Sequence, residues 1–204
     1  MITIVDYSAG NLTSVARALK YIGVNVKISS DPKEIEAAER IIFPGVGHAK
    51  SAMESLKQRG IDLAIKSAFK KKTPIMGICL GTQIILSHSQ EGDTQTLGLI
   101  DGKCLKFVLD DKSLKIPHMG WNNVKITQPH FILKDLHESD EMYFVHSFYP
   151  KLNDNSKIFA TSDYGEDFTC AIGDKNLFAV QFHPEKSADA GLSLLKNFTV
   201  WNGE

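Results

Sequence analysis

Cysteine is scarce in this sequence of 204 residues, which contains three: Cys79, Cys104 and Cys170. Three is an odd number, and no two of them form a CxxC pair or stand at a zinc-type spacing from a histidine. The sequence therefore predicts neither a disulfide framework nor a metal site.

Long apolar runs are also missing. The first six residues are apolar but too short for a signal peptide, and no stretch approaches the roughly 18 apolar residues of a membrane span. We expect a cytoplasmic protein without a membrane partner.

No charge of one sign dominates, since 23 basic residues face 24 acidic ones and the formal net charge is -1. The basic residues are scattered except for the run at positions 70–72, which fits a solvated helix end before Pro74. A nucleic-acid partner is therefore not expected. The length suits one compact domain spanning residues 1–204, with 43% hydrophobic residues to fill its core.

Short β-branched runs alternate with helical patterns in the first half, as in parallel strands joined by crossover helices. The expected strands are 2–5, 24–28, 41–43 and 74–78, and the expected helices are 11–22, a short one opened by Asp31 and Pro32, 49–58, 62–69 and one after Cys79 through about 86. Asn11 is a plausible N-cap and Gly23 a plausible helix stop.

The second half is rich in strands, which we expect at 103–108, 124–127, 142–148, 158–162, 169–172 and 178–182, with a hairpin turn at 173–176 and a final helix at 188–200. The predicted fold is thus α/β: a mostly parallel central sheet flanked by helices, with an additional antiparallel region. No repeat or linker interrupts it.

Gly77-Ile78-Cys79-Leu80-Gly81 matches a nucleophile elbow, with cysteine at the reactive position. The nucleophile occupies a strained strand-to-helix turn, so small residues are needed on both sides of it. The helix dipole favours the thiolate, which is the attacking form. A buried structural cysteine is the alternative; we assign that packing role to Cys104 and Cys170.

His183-Pro184-Glu185 follows a predicted strand. In extended backbone, residues i and i+2 point to one side, so the carboxylate can orient the imidazole as in a Cys-His-acid triad. Taken alone, the tripeptide favours an ordinary loop, whereas combined with the elbow it favours the triad.

Acyl transfer also requires donors for the developing oxyanion. The backbone N–H groups of Val46 and Gly47, in the loop Pro44-Gly45-Val46-Gly47, and of Leu80 can supply them. A simple glycine turn is the alternative for the loop.

The chain resembles the class I glutamine amidotransferases, in which a P-G-x-G loop, a G-x-C-x-G elbow and a late H-P-E occur in this order. The resemblance extends over nearly the whole chain. It rests on Asp6-Tyr7 with Gly10-Asn11-Leu12, Pro44 to His48, Gly77 to Gly81, Pro117-His118-Met119-Gly120-Trp121-Asn122, Tyr143 to Ser147, and Gln181 to Ser187.

The resemblance implies that Cys79 is the nucleophile, His183 the base and then the acid, and Glu185 its orienting partner. It also implies that Gln83, Glu91 and Ser147 hold the amino-acid end of glutamine, and that no cofactor is needed. Read without the resemblance, Glu91 is a surface loop residue and Gln83 a surface or capping residue.

Within the family, the pattern is similar to the glutaminase subunits that pass ammonia to a separate (β/α)8 synthase in histidine biosynthesis. This implies a heterodimer whose interface includes Asn11, Trp121, Tyr143 and Lys186. The alternatives to an interface role are helix capping for Asn11, core packing for the two aromatic residues, and a solvent-exposed position for Lys186.

Two positions depart from the family pattern: Ser8 replaces a frequent glycine, and Thr82 a frequent methionine. They leave open a related glutaminase that serves the amination of surface-polysaccharide sugars. Two further alternatives are a cysteine hydrolase of another acyl substrate and an interaction subunit without activity.

Overall fold

The structure is a computed structural model that describes residues 1–8 and 10–204. Its helices are α1 Leu12–Tyr21, α2 Pro32–Glu36, α3 Ala49–Arg59, α4 Ile61–Lys70, α5 Leu80–Ile84 and α6 Ala188–Val200. Its strands are β1 Ile2–Val5, β2 Val26–Ser29, β3 Ile41–Gly45, β4 Ile75–Cys79, β5 His88–Ser89, β6 Thr94–Gln95, β7 Lys103–Lys106, β8 His118–Asn123, β9 Lys125–Ile126, β10 Glu141–His146, β11 Phe148–Lys151, β12 Ile158–Asp163, β13 Asp167–Asp174 and β14 Leu177–Val180.

The main sheet has, within the described residues, eight strands in the order β2-β1-β3-β4-β14-β13-β12-β9. Strands β2, β1, β3, β4 and β14 run parallel, whereas β13, β12 and β9 continue the sheet antiparallel. An antiparallel pair of strands, β8 and β10, and a sheet of order β11-β7-β5-β6 lie beside it. The predicted fold class is therefore confirmed.

The two faces of the main sheet belong to two apolar clusters. In β3, Ile42 packs in one cluster, while Ile41 and Phe43 pack in the other. Helices α1 and α6 cover the first face, and α3 and α4 cover the second. Because both faces of the sheet are covered, the central parallel strands β3, β4 and β14 are buried along their whole length, whereas the edge strand β2 is partly exposed.

Several predicted boundaries were wrong. The helix after Cys79 ends at Ile84, because the carbonyls of residues 84–86 accept hydrogen bonds from residues 97–100 instead of continuing the helix. The strand predicted at 142–148 breaks at Ser147, where the chain leaves β10 and enters β11 of another sheet. Strand β8 was missed entirely.

Other local predictions were confirmed. Asp31 caps α2 through a 2.9 Å bond from Lys33 N, and Gly23 follows α1 with φ 81°. Asp174 and Leu177 pair across the predicted hairpin turn, and α6 has the predicted bounds. In the part of the chain that the structure describes, no helix is both long and apolar enough to cross a membrane.

Candidate active site

Cys79 lies at the junction of β4 and α5 with φ 55° and ψ -109°, a backbone conformation that side chains other than glycine rarely adopt. The turn is tight on both sides. A Cβ on Gly81 would stand 1.9 Å from the Phe43 carbonyl oxygen, and one on Gly77 would stand 2.9 Å from the Ala179 Cβ. The predicted elbow is therefore present, and its glycines have the predicted steric reason.

Besides His183, the Cys79 sulfur has two polar neighbours of opposite kind. The Val145 carbonyl oxygen lies 3.9 Å away as an acceptor for the thiol, and the Gln181 side-chain Nε2 lies 3.8 Å away as a donor to sulfur. No pattern in the sequence singled out Gln181, because its contact with Cys79 joins residues 102 positions apart.

His183 and Glu185 form a buried pair, with a 2.7 Å bond from His183 Nδ1 to Glu185 Oε1. His183 has extended backbone, as predicted, but Glu185 lies in a short 3-10 turn, Pro184–Lys186, which still places both side chains together. Burial opposes a charge on the ring; nevertheless, the adjacent Cys79 sulfur and the Glu185 carboxylate raise the pKa of His183 to about 10.

Asn11 also contacts this pair. Its side-chain Nδ2 donates to Glu185 Oε1 and lies 3.4 Å from His183 Nδ1. Asn11 precedes α1 as predicted, but with φ 77° and without a side-chain capping bond. Its capping role is therefore wrong, because its amide is directed at the His-Glu pair instead.

The backbone of His183 is held by strand β10. His183 N donates to the Tyr143 carbonyl at 2.9 Å, and Ser187 Oγ donates to the His183 carbonyl at 2.6 Å. Tyr143 N in turn donates to Ser187 Oγ. The position of His183 is thus tied to the strand that carries Tyr143.

The end of strand β3 lies beside the elbow, since Gly45 pairs with Cys79. Val46 and Gly47 follow, the latter with φ 115°, and both line the same cavity as Cys79 and Leu80. The buried Tyr7 hydroxyl sits where a Cβ on Gly45 would fall, which requires glycine there.

This cavity has a volume of about 280 Å³. It is lined by Val46, Gly47, Cys79, Leu80, Gln83, Glu91, Pro117, Val145, His146, Ser147 and Phe148. It therefore brings together the candidate nucleophile, the candidate oxyanion loop and the three candidate glutamine-binding residues.

Glu91 and Gln83 are each partly engaged by the protein. Glu91 Oε2 accepts a 2.6 Å bond from Ala49 N at the start of α3, which fixes the carboxylate at the cavity wall. Gln83 Nε2 donates to the Phe148 carbonyl and to Gln181 Oε1, so Oε1 is the atom of its amide left for a ligand. Neither Glu91 nor Gln83 is therefore the surface residue that the sequence offered as an alternative.

A buried histidine pair supports the cavity wall and was missed as a functional feature. His118 Nδ1 lies 3.0 Å from His146 Nε2, and His146 Nδ1 lies 2.8 Å from the Phe148 carbonyl. Burial lowers the pKa of His118 to about 4 and that of His146 to about 3, which keeps both rings neutral at neutral pH.

Three of the four candidate interface residues lie together. Trp121 and Tyr143 are paired across β8 and β10 with ring centroids 6.0 Å apart, and Lys186 Nζ lies 5.7 Å from the Tyr143 ring. Trp121 is 50% exposed, so it does not have the core-packing role of the alternative reading. Asn11 lies inward, against Glu185.

Both departures from the family pattern have a structural account. Ser8 has φ 68°, a conformation that favours glycine, and its hydroxyl accepts a 2.6 Å bond from Arg59. Thr82 is buried and donates a 2.5 Å bond to the Val180 carbonyl. Neither displaces a group of the candidate site.

Solved structures with the same fold have low sequence identity. A structure titled glutamine amidotransferase aligns with a TM-score of 0.75 at 16% identity, covering 98% of this chain and 100% of that one. The structure of PurLQS from Thermotoga maritima aligns with a TM-score of 0.73 at 19% identity, covering 97% and 96%. These two establish the fold.

Sequence relatives are much nearer. The chain is 45% identical to imidazole glycerol phosphate synthase subunit HisH of Nitratidesulfovibrio vulgaris, covering 98% of this chain and 97% of the relative. It is 43% identical to the HisH subunit of Neisseria meningitidis serogroup B, covering 97% and 98%. The sequence model of the family described as glutamine amidotransferase class-I matches residues 3–201. The chain therefore belongs to the class-I glutamine amidotransferase family.

Proposed function

We propose that this chain is the glutaminase subunit of an imidazole glycerol phosphate synthase, which hydrolyses glutamine and supplies ammonia to a separate synthase subunit. The observation that carries the proposal is the Cys79 elbow beside the buried His183-Glu185 pair, facing one small cavity. The similarity to the HisH subunits supports the histidine pathway, which the sequence also favoured.

In the first step, the Cys79 thiolate bonds to the side-chain amide carbon of glutamine, and the carbonyl electron pair moves onto oxygen. The N–H of Leu80 and those of Val46 and Gly47 are our proposed donors to that oxyanion. Such donors contribute about 3 to 4 kcal/mol each to lowering the barrier.

In the second step, the carbon-nitrogen bond breaks and the protonated His183 gives its proton to the leaving nitrogen, so ammonia departs and a glutamyl thioester remains. His183 Nδ1 is held by Glu185, so Nε2 is the nitrogen that exchanges the proton. Water then attacks the thioester while His183 accepts its proton, which releases glutamate and restores the thiolate.

The other end of glutamine is assigned to Glu91, Gln83 and Ser147. Glu91 pairs with the substrate ammonium, with one oxygen already fixed by Ala49 N. Gln83 offers its carbonyl oxygen, because its amide hydrogens are used within the protein. Ser147 lies at the break between β10 and β11 on the same wall.

We further propose a cytoplasmic heterodimer with a (β/α)8 synthase subunit, and an interface around Trp121, Tyr143 and Lys186, with Asn11 at its edge. An exposed tryptophan in edge-to-face contact with a tyrosine, with a lysine over the tyrosine ring, has the aromatic and cationic composition of binding hot spots.

The catalytic assignment is tested by glutamate release in the presence of the synthase subunit from the same source. Cys79→Ala abolishes release because no other cysteine lies at an elbow, whereas Cys104→Ser, at a buried cysteine outside the site, retains it. More than about a hundredth of the wild-type rate in Cys79→Ala would contradict the assignment.

The pathway is tested in a histidine auxotroph that lacks only its glutaminase subunit. In low ammonia, this chain together with the synthase from the same source restores growth. Failure with both proteins soluble, combined with retained glutaminase activity, favours sugar amination instead. Hydrolysis of simple esters but not of glutamine indicates a different cysteine hydrolase.

A further inference from the structure

Gln181 lies beside the reactive sulfur and is fully buried, but the mechanism above leaves it without a role. Its Nε2 is 3.8 Å from Cys79 Sγ, within hydrogen-bond range for the large sulfur atom. Besides His183, the sulfur also has the Val145 carbonyl beside it, which accepts from a thiol and repels a thiolate. The Gln181 contact therefore favours the charged form and the Val145 contact favours the neutral form.

The orientation of the Gln181 amide is fixed by its neighbours. The Phe148 carbonyl can only accept, so Gln83 must present its N–H group there, at 3.1 Å. The same Nε2 of Gln83 lies 3.2 Å from Gln181 Oε1, so the oxygen of Gln181 faces Gln83. The Nε2 of Gln181 must consequently face Cys79.

The Phe148 carbonyl is itself held in place from its other side. His146 Nδ1 lies 2.8 Å from it and donates, which leaves His146 Nε2 to accept from His118 Nδ1. A directed series of hydrogen bonds thus runs from His118 and His146 to Phe148, and from Gln83 through Gln181 to the sulfur.

We propose that Gln181 is a further catalytic residue, whose side-chain amide donates a hydrogen bond to the Cys79 thiolate and stabilises it for attack. Gln83 and the Phe148 carbonyl act as positioning groups that keep the donor directed at the sulfur. The inference deepens the proposed function, since it concerns the nucleophile of that reaction.

Other ionisable groups also act on the sulfur. His183 is the nearest cation, and Tyr7 and the buried Cys104 lie close enough to interact with it; His146 acts on His183 in turn. All four stay unchanged when Gln181 is replaced. Gln181→Met adds and removes no ionisable group, so a shift of the alkylation profile in that variant reports the loss of the amide rather than a change of charge nearby.

The test is the pH dependence of Cys79 alkylation by iodoacetamide, followed on the Cys79 peptide by mass spectrometry. In Gln181→Met, which keeps the size but loses the donor, the pH of half-maximal rate rises by about one unit, since a hydrogen bond to a charged group is worth that much or more. In Gln181→Glu, which puts a carboxyl oxygen at the sulfur, it rises further. The rate of glutamine hydrolysis at neutral pH falls about tenfold in Gln181→Met.

Asn197→Leu is the matched control. It removes another buried side-chain amide with two hydrogen bonds, to Ile132 O and Asp135 Oδ2, on helix α6. The alkylation profile of this variant stays at the wild-type position.

An unchanged profile in both Gln181→Met and Gln181→Glu, or an equal shift in Asn197→Leu, overturns the proposal. Alkylation requires neither glutamine turnover nor a partner, so failure of the proposed function is seen separately, as absence of glutamate release by the wild type.

Discussion

The two oxygens of the Glu185 carboxylate have different surroundings. Oε1 accepts from both Asn11 and His183, whereas Oε2 is buried without a hydrogen-bond partner among the described residues. A buried carboxylate depends strongly on each donor it has, because an unpaired charge in a protein interior is costly. Asn11 therefore matters for the chemistry as well as for any partner.

Replacing Asn11 separates these two contributions. Asn11→Gly keeps the backbone at φ 77° without strain and removes one hydrogen bond to a charged group, worth about 1.5 to 3 kcal/mol. We expect the kcat of the isolated subunit to fall about tenfold, and to fall further in Asn11→Asp, where a second carboxylate faces Glu185. The measurement is glutamate release without synthase. An unchanged kcat alongside weaker complex formation would assign Asn11 to the interface alone.

At the scale of elements, the elbow requires β3, β4 and α5 to meet almost backbone to backbone. Gly81 touches the Phe43 carbonyl of β3, a rigid backbone group, whereas Gly77 faces the Ala179 methyl of β14. The Phe43 oxygen and the Ala179 Cβ are both fixed to the backbone and cannot move aside by a rotamer change, so the closer approach at Gly81 makes an added methyl group costlier there than at Gly77. Cys79 is therefore held by the mutual position of three elements.

The two elbow glycines provide a matched pair of variants. Gly81→Ala is expected to lower the free energy of unfolding by about 3 kcal/mol or more, because its Cβ meets a backbone oxygen at 1.9 Å. Gly77→Ala is expected to cost about 1 to 2 kcal/mol. Urea denaturation of both variants is the measurement. Equal losses would show that conformational freedom, rather than close approach, is what the elbow requires.

At the scale of the whole molecule, strand β10 connects three regions. Its backbone holds His183 through Tyr143, its end at His146 supports the cavity wall, and its Tyr143 ring lies beside Trp121 on the exposed side. A shift of this strand would therefore move the base and the cavity together. The histidine pair at its end also gives the molecule a pH-dependent stability.

Stability should fall on acidification from about pH 6.5 to pH 4. Burial lowers the folded-state pKa of His118 and His130 to about 4 and that of His146 to about 3, so the unfolded state, with values near 6.5, binds protons first. His183 acts in another window: its raised pKa contributes stability that is complete below pH 6.5 and is lost as pH rises toward 10.

The measurement is the free energy of unfolding in urea at several pH values between 4 and 7. Each buried histidine contributes a slope of about 1.4 kcal/mol per pH unit in this range. His146→Asn, which keeps a donor near the Phe148 carbonyl but cannot titrate, should reduce the slope by about that amount. An identical slope in the variant would show that His146 is already accessible to protons.

Sequence patterns gave the parallel half of the sheet and the elbow because both depend on local properties: apolar runs and small residues beside the nucleophile. Strand β8 escaped prediction because its residues, His118 to Asn123, alternate irregularly and are ordered by pairing with β10. The contacts of Asn11 with Glu185 and of Gln181 with Cys79 were not predicted for a related reason. Their contacts join residues 174 and 102 positions apart, and no short spacing reveals such contacts.

The sequence by itself determined the α/β class, the position of the elbow at Cys79 and the grouping of His183 with Glu185, since each follows from periodicity or from neighbours a few residues apart. Only the tertiary structure decided that Asn11 supports Glu185, that Gln181 faces the sulfur, and that Glu91 and Ser147 share the cavity of Cys79. These arrangements depend on how the sheets and helices pack. Packing brings distant parts of the chain together, whereas local sequence constrains only the backbone nearby.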